Sequence, residues 1–155
     1  MKRELIQVNS KEELEDTKQL FREYSVFLNV DLCFQGFENE LAQLPDKYAE
    51  PKGTILLMKI DGLAVGCVAL RPLAEDVCEM KRLFVKPEYQ SLGIGRELAE
   101  AVIVQAKNKG YSSMKLDTLR RLSAANKLYK ALDFVETIPY NVNPEEDVVY
   151  FEKKL

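Results

Sequence analysis

The chain has 155 residues, enough for one domain spanning 1–155 with a substantial apolar core. Hydrophobic residues make up 46%, which excludes a disordered chain, and a net charge of −3 argues against general affinity for nucleic acid. Histidine is absent, so a Ser-His-Asp triad, a Cys-His pair and a histidine metal site are all excluded.

The elements follow in chain order. Leu5–Val8 reads as a short first strand. Ser10 and Glu13 form a capping box, and Leu14, Leu20, Phe21, Tyr24, Phe27 and Leu28 then fall on one helical stripe. A second, shorter helix is expected over Phe37–Leu44. Asp46–Gly53, with Pro45 and Pro51 near its ends, reads as a loop. Thr54–Ile60 and Leu63–Leu70 flank Asp61-Gly62, a hairpin signal. Val77–Val85 is expected as a central strand, and Glu97–Lys109 as an amphipathic helix stopped by Gly110. Ser112–Thr118 is a further strand, Ser123 is expected to cap a helix through Leu132, and Phe134–Ile138 and Val148–Glu152 close the chain as strands. The order is β-α-α-β-β-β-α-β-α-β-β.

No apolar run approaches the ~18 residues that span a bilayer. Met1-Lys2-Arg3-Glu4 leads into no long apolar core, so a secretory signal is not expected. Cys33, Cys67 and Cys78 are odd in number, lack Cys-x-x-Cys spacing and read as reduced, mostly buried thiols of a cytoplasmic protein.

The most informative stretch lies after the central strand. Pro87 ends an apolar run, and Gln90-Ser91-Leu92-Gly93-Ile94-Gly95-Arg96 then opens a helix. Unpaired N–H groups at a helix start, together with the helix dipole, favour an anion such as a pyrophosphate. A Rossmann site would need a third glycine where Leu98 stands, and a Walker loop would need Gly-Lys-Ser/Thr, which is absent. The competing reading is that two glycines before a helix make only a turn.

This loop resembles the Arg/Gln-x-x-Gly-x-Gly/Ala acyl-CoA loop of the GNAT acetyltransferases. Gly66-Cys67-Val68-Ala69-Leu70-Arg71-Pro72-Leu73, Cys78 to Val85, and Ser123-Ala124-Ala125-Asn126-Lys127-Leu128-Tyr129 extend the resemblance over nearly the whole chain. The chain is similar to single-domain GNAT members of bacterial type. The resemblance implies a mixed α/β fold with a mostly antiparallel sheet, a splayed parallel strand pair and about four flanking helices. Its implied activity is transfer of an acetyl group from acetyl-CoA to a primary amine of a small or amino-acid-like acceptor, by a monomer or homodimer, with no metal, nucleic acid or membrane partner. The alternatives are an acyl-CoA sensor without catalysis and a peptide or protein acetyltransferase.

The resemblance also implies roles. The main chain of Leu83, Phe84 and Val85 would bind the pantetheine arm and acetyl carbonyl, and Gln90 to Arg96 the pyrophosphate. Asn126 would contact the CoA arm. Glu79 matches the position of a general base; its competing reading is an ion-paired residue with Lys81 and Arg82 as partners. Tyr129, three residues after Asn126 on one helix face, would donate a proton to the CoA sulfur; its competing reading is a core tyrosine. Acceptor-pocket candidates are Tyr24, Phe34, Phe37, Tyr48, Tyr140, Asn141 and Asn143. Arg71 would bind an acceptor carboxylate or pair with Glu75 or Asp76. The family commonly has Gly-Phe where this chain has Asp133-Phe134, a left-handed position that Asp tolerates better than most residues.

Overall fold

The structure, a computed structural model, describes residues 1–29 and 36–155. Cys33 and Phe34 lie outside the described residues. The strands are β1 (Arg3–Gln7), β2 (Thr54–Ile60), β3 (Leu63–Pro72), β4 (Val77–Val85), β5 (Ser113–Leu119), β6 (Val135–Thr137) and β7 (Val148–Lys154). The helices are α1 (Lys11–Leu28), α2 (Phe37–Gln43), α3 (Ile94–Asn108) and α4 (Ser123–Ala131). Short 3₁₀ turns stand at Asp46–Tyr48, inside the expected loop, and at Pro87–Tyr89.

The seven strands form one sheet in the order β1-β2-β3-β4-β5-β7-β6. Every neighbouring pair is antiparallel except β4 and β5, which run parallel. Apolar side chains fill both faces. On one face α3 places Leu98, Val102 and Ala106 against Met58, Met80, Met114 and Phe151. On the other, Leu20 and Phe21 of α1 and Phe37 and Leu41 of α2 pack on Ile55, Leu57 and Phe84. Burial on both faces explains why β2 reads as a nearly unbroken apolar run, Thr-Ile-Leu-Leu-Met-Lys-Ile. Gly66 permits close packing of α3, since a Cβ there would meet Phe84 O at 3.2 Å and Leu98 Cδ1 at 3.0 Å.

The capping box forms as expected: Glu13 N–H donates to Ser10 Oγ at 3.1 Å and Ser10 N–H to Glu13 Oε1 at 3.2 Å. Helix α1 ends at Asn29 in the left-handed region, φ 53°. Its buried stripe is Thr17, Leu20, Phe21 and Leu28, whereas Phe27 remains 47% exposed. Helix α3 starts at Ile94 rather than Glu97, because Gly93 at φ 79° already turns the chain into it. Ser123 is the first residue of α4 and not its cap. Leu122 takes the cap position without a side-chain bond, and Asn126 N–H donates to Leu122 O at 3.0 Å. Asp133 adopts φ 70°, the left-handed conformation expected there. Cys67 and Cys78 are buried free thiols, and burial pushes Cys78 up to about 12. Among the described residues no helix is long and apolar enough to cross a membrane.

Candidate active site

The parallel pairing of β4 and β5 is short. Val77, Cys78 and Glu79 face Ser113, Met114 and Lys115, and there the register stops. Beyond that point β5 keeps its partner β7, with Asp117 opposite Tyr150, while β4 keeps β3. A bulge marks the divergence: between Ala69↔Lys81 and Cys67↔Phe84 the pairing slips by one residue, and Arg82 sits at φ 61°. Its guanidinium donates twice to Glu40 on α2, Nε to Oε2 at 3.1 Å and Nη2 to Oε1 at 3.0 Å. Lys47 adds a contact to Glu40 at 3.0 Å, and the Phe37 ring lies 5.5 Å from the guanidinium. Burial alone would raise the Glu40 carboxyl; the hydrogen bonds and charge of Arg82 outweigh it and hold the carboxyl below the usual range.

A cavity of about 580 Å³ fills the split. Its walls are Met80 to Val85 on β4, Leu116 to Leu119 on β5, the start of α3, the first turns of α4 and the end of α1. Lys86 N–H donates to Val65 O at 2.8 Å, so by strand alternation the main-chain groups of Val85 face away from β3, toward the opening. Gln90 Nε2 donates to Val85 O at 3.0 Å.

The glycine loop stands at the mouth. Ser91 and Gly93 both have positive φ, 69° and 79°. Glu97 N–H makes the first helical bond, to Gly93 O at 3.1 Å, so the N–H groups of Ile94, Gly95 and Arg96 have no partner within the helix. Arg3 braces the loop from outside, donating to Leu92 O at 2.6 Å and to the Glu97 carboxylate. Gln90, Ser91, Gly93, Ile94 and Gly95 line the cavity; the side chain of Arg96 instead pairs with Glu100 at 3.3 Å.

Tyr129 lines the cavity too. Its ring packs on Phe134 and Phe151, with centroids 5.9 and 6.0 Å away, so it is at once a core residue and a cavity residue. Burial pushes its phenol well above the ordinary value, which keeps the hydroxyl protonated at neutral pH. Asn126 turns the other way. Its Nδ2 donates to Leu119 O at 3.1 Å and Arg120 O at 3.3 Å, and its buried Oδ1 has no hydrogen-bond partner among the described residues.

Glu79 is 1% exposed and sits where the strands are still paired. Both its oxygens are occupied: Arg71 Nη1 donates to Oε1 at 2.9 Å and Tyr140 Oη to Oε2 at 2.7 Å. Arg71 is thus the ion-pair partner, in place of Lys81 or Arg82. Nor does Arg71 pair with Asp76, whose carboxylate accepts from Ser112 Oγ at 2.9 Å. Two residues further along β5, Asp117 lines the cavity and accepts from Asn141 Nδ2 at 2.9 Å. Lys81 lines it as well, and burial, followed by the Arg82 charge, lowers its amine to about 8.

Of the expected acceptor-pocket residues, Tyr24 and Asn143 line the cavity. Tyr140 and Asn141 hold Glu79 and Asp117. Phe37 and Tyr48 are buried in the core beneath. Asp117, Lys81 and Arg121 were missed by sequence reasoning. A usable signal was the apolar alternation Met114-Lys115-Leu116-Asp117, which puts two charges on one face of an interior strand.

Residues 15–134 match the Acetyltransferase (GNAT) family. The chain belongs to the GNAT acetyltransferase family. An uncharacterised N-acetyltransferase of Schizosaccharomyces pombe is 42% identical over 93% of this chain and 90% of its own. An acetyltransferase from Streptococcus agalactiae shares the fold at TM-score 0.82 and 19% identity, covering 99% of this chain and 98% of that one. The PaiA N-acetyltransferase of Thermoplasma acidophilum, solved in complex with coenzyme A, does so at TM-score 0.77 and 22% identity over the full length of both chains.

Proposed function

We propose that this acetyltransferase moves an acetyl group from acetyl-CoA to a primary amine of a small or amino-acid-like acceptor. One observation carries the reading: the split between β4 and β5 opens a cavity at whose mouth a helix presents unpartnered N–H groups. The pyrophosphate sits on Gly93 to Arg96, and the pantetheine arm runs into the split along the main chain of Leu83 to Val85. Coenzyme A in the Thermoplasma acidophilum relative supports this choice of cofactor. The amine nitrogen attacks the thioester carbonyl, whose oxygen is held by the main-chain groups that face the opening. The C–S bond then breaks, and Tyr129 gives its proton to the departing sulfur. The two oxygens of Glu79 are already engaged, so Glu79 acts as a proton sink through ordered water and not by contact with the amine.

A small acceptor is favoured over a protein because Arg121 bridges one side of the cavity between α1 and Asp147. Its Nη2 donates to Leu28 O at 3.3 Å at the end of α1, and its Nη1 to Asp147 at 2.9 Å. The test combines thermal melting with acetyl-CoA and thiol release across amines, amino acids and peptides. A melting shift with thiol release on small amines is expected. Absence of the shift in folded protein overturns the assignment. A shift with no thiol release points to a sensor, and release on peptides alone points to a protein acetyltransferase.

A further inference from the structure

Resting on the acetyltransferase reading, we infer that Asp117 is the group that receives the acceptor amine, docking it in its cationic form at the floor of the split between β4 and β5. Asp117 stands one strand-repeat beyond Lys115, the last β5 residue paired with β4, so it faces the opening at the point where the two strands part. Glu79, one step back, has both oxygens filled by Arg71 and Tyr140. Among the described residues Asp117 is hydrogen-bonded on one oxygen only. Asn141 donates to Oδ2, and Asn141 is itself fixed by the Tyr150 hydroxyl, which donates to its Oδ1 at 2.9 Å and its O at 3.2 Å. This chain of hydrogen bonds orients the carboxylate and leaves Oδ1 for a second donor.

The charge reaches the rest of the site. Burial raises the phenols of Tyr24 on α1 and Tyr129 on α4, and the Asp117 charge adds to both. An ammonium against Oδ1 forms a charge-assisted hydrogen bond and, on passing a proton through ordered water to Glu79, presents its lone pair within the same cavity as the thioester. The cavity wall combines apolar Tyr24, Leu28 and Leu119 with charged groups, the carboxylates of Asp117 and Glu145 and the cations Lys81, Arg82 and Arg121, of which Arg82 is held by Glu40 and Arg121 by Asp147 and Glu145.

Asp117→Asn removes the charge and keeps an oxygen for Asn141. With glycine, aspartate, lysine and putrescine as acceptors, kcat/KM of the best substrate should fall roughly 10- to 100-fold, mainly through KM, as loss of a charged hydrogen-bond partner implies. Asp117→Glu should restore part of that loss, and the melting shift given by acetyl-CoA should persist in both variants. Unchanged kcat/KM in Asp117→Asn overturns the inference and leaves the acetyltransferase reading intact. So does loss of the acetyl-CoA shift in that variant, which would place the residue on the cofactor side. Acetyl-CoA binding by the wild type without turnover of any of the four amines overturns it as well. Absence of acetyl-CoA binding by the wild type would instead refute the acetyltransferase reading itself.

Discussion

The two loop glycines separate a folding role from a binding role. Gly95 has ordinary helical geometry, and a Cβ there would sit 3.9 Å from Val85 Cγ2 and 4.0 Å from Leu128 Cδ2, normal contacts on the cavity wall. Gly95→Ala therefore costs the apo protein nothing and gains up to about 1 kcal/mol of helix propensity. Gly93 has open space around it but φ +79°, so Gly93→Ala costs roughly 1–2 kcal/mol through the backbone alone. With acetyl-CoA at 100 times its Kd the wild type gains about 2.7 kcal/mol, and for a chain of this size each kcal/mol moves Tm by about 2–4 °C. The expected shift is thus about 5–11 °C. If the new methyl displaces one charge-assisted phosphate contact at a cost of about 2 kcal/mol, within the usual range of about 1.5–3 kcal/mol, affinity falls about 30-fold. At the same ligand concentration the gain then drops to about 0.9 kcal/mol, a shift of about 2–4 °C. Differential scanning fluorimetry of Gly95→Ala with and without acetyl-CoA measures both quantities. An apo Tm at or above wild type with an undiminished ligand shift would refute the phosphate role of the α3 terminus.

Tyr129→Phe should lower kcat by about 10²–10⁴-fold while leaving the acetyl-CoA melting shift in place, because the ring packing on Phe134 and Phe151 is kept; wild-type turnover would leave Tyr129 a core residue only. Glu40 has a folded pKa below its unfolded value, so its contribution to stability is present above the unfolded pKa and is lost as pH falls through the folded one. Glu40→Gln should accordingly flatten the acid limb of the Tm-versus-pH curve, and at neutral pH should cost about 3–5 kcal/mol by leaving Arg82 buried without its anion. Parallel acid limbs in the two proteins would contradict that pairing. Asp133→Gly should raise Tm by about 1–4 °C, since glycine adopts φ 70° without strain, and a lower Tm would show that the Asp side chain contributes more than its backbone costs.

Local rules were legible in the sequence. Ser10 and Glu13 announced the start of α1, Asp61-Gly62 the β2–β3 hairpin, and Val77–Val85 appeared with its exact ends, because each depends on neighbours within a few residues. The glycine loop was legible for the same reason. Less legible were partnerships set by the strand order. Lys81 and Arg82 looked like partners for Glu79, yet the antiparallel register puts Arg71 directly across from it, and the bulge sends Arg82 down to Glu40, 42 positions away in sequence. The alternation Met114-Lys115-Leu116-Asp117 marked Asp117 as a charge on an interior strand, but its place in the cavity depends on β4 leaving β5 before reaching it, a long-range event.

The bulge, the ion pair and the cavity belong to one device. A sheet that stayed paired along β4 and β5 would have no opening, and the exposed main chain of a parted strand costs free energy unless something else holds it. Here β4 turns away at Arg82, in a conformation that a residue with a Cβ adopts reluctantly. A bidentate bond to a buried carboxylate on α2 holds that residue. Such a pair adds little net stability compared with apolar packing, but it is satisfied in one geometry only. That geometry keeps the strands apart on the cavity side, while one step earlier Glu79 ties β4 to Arg71 of β3 and to Tyr140. The polar residues buried at this junction therefore fix where the sheet opens, and the opening is what gives the helix terminus of α3 a ligand-sized space to face.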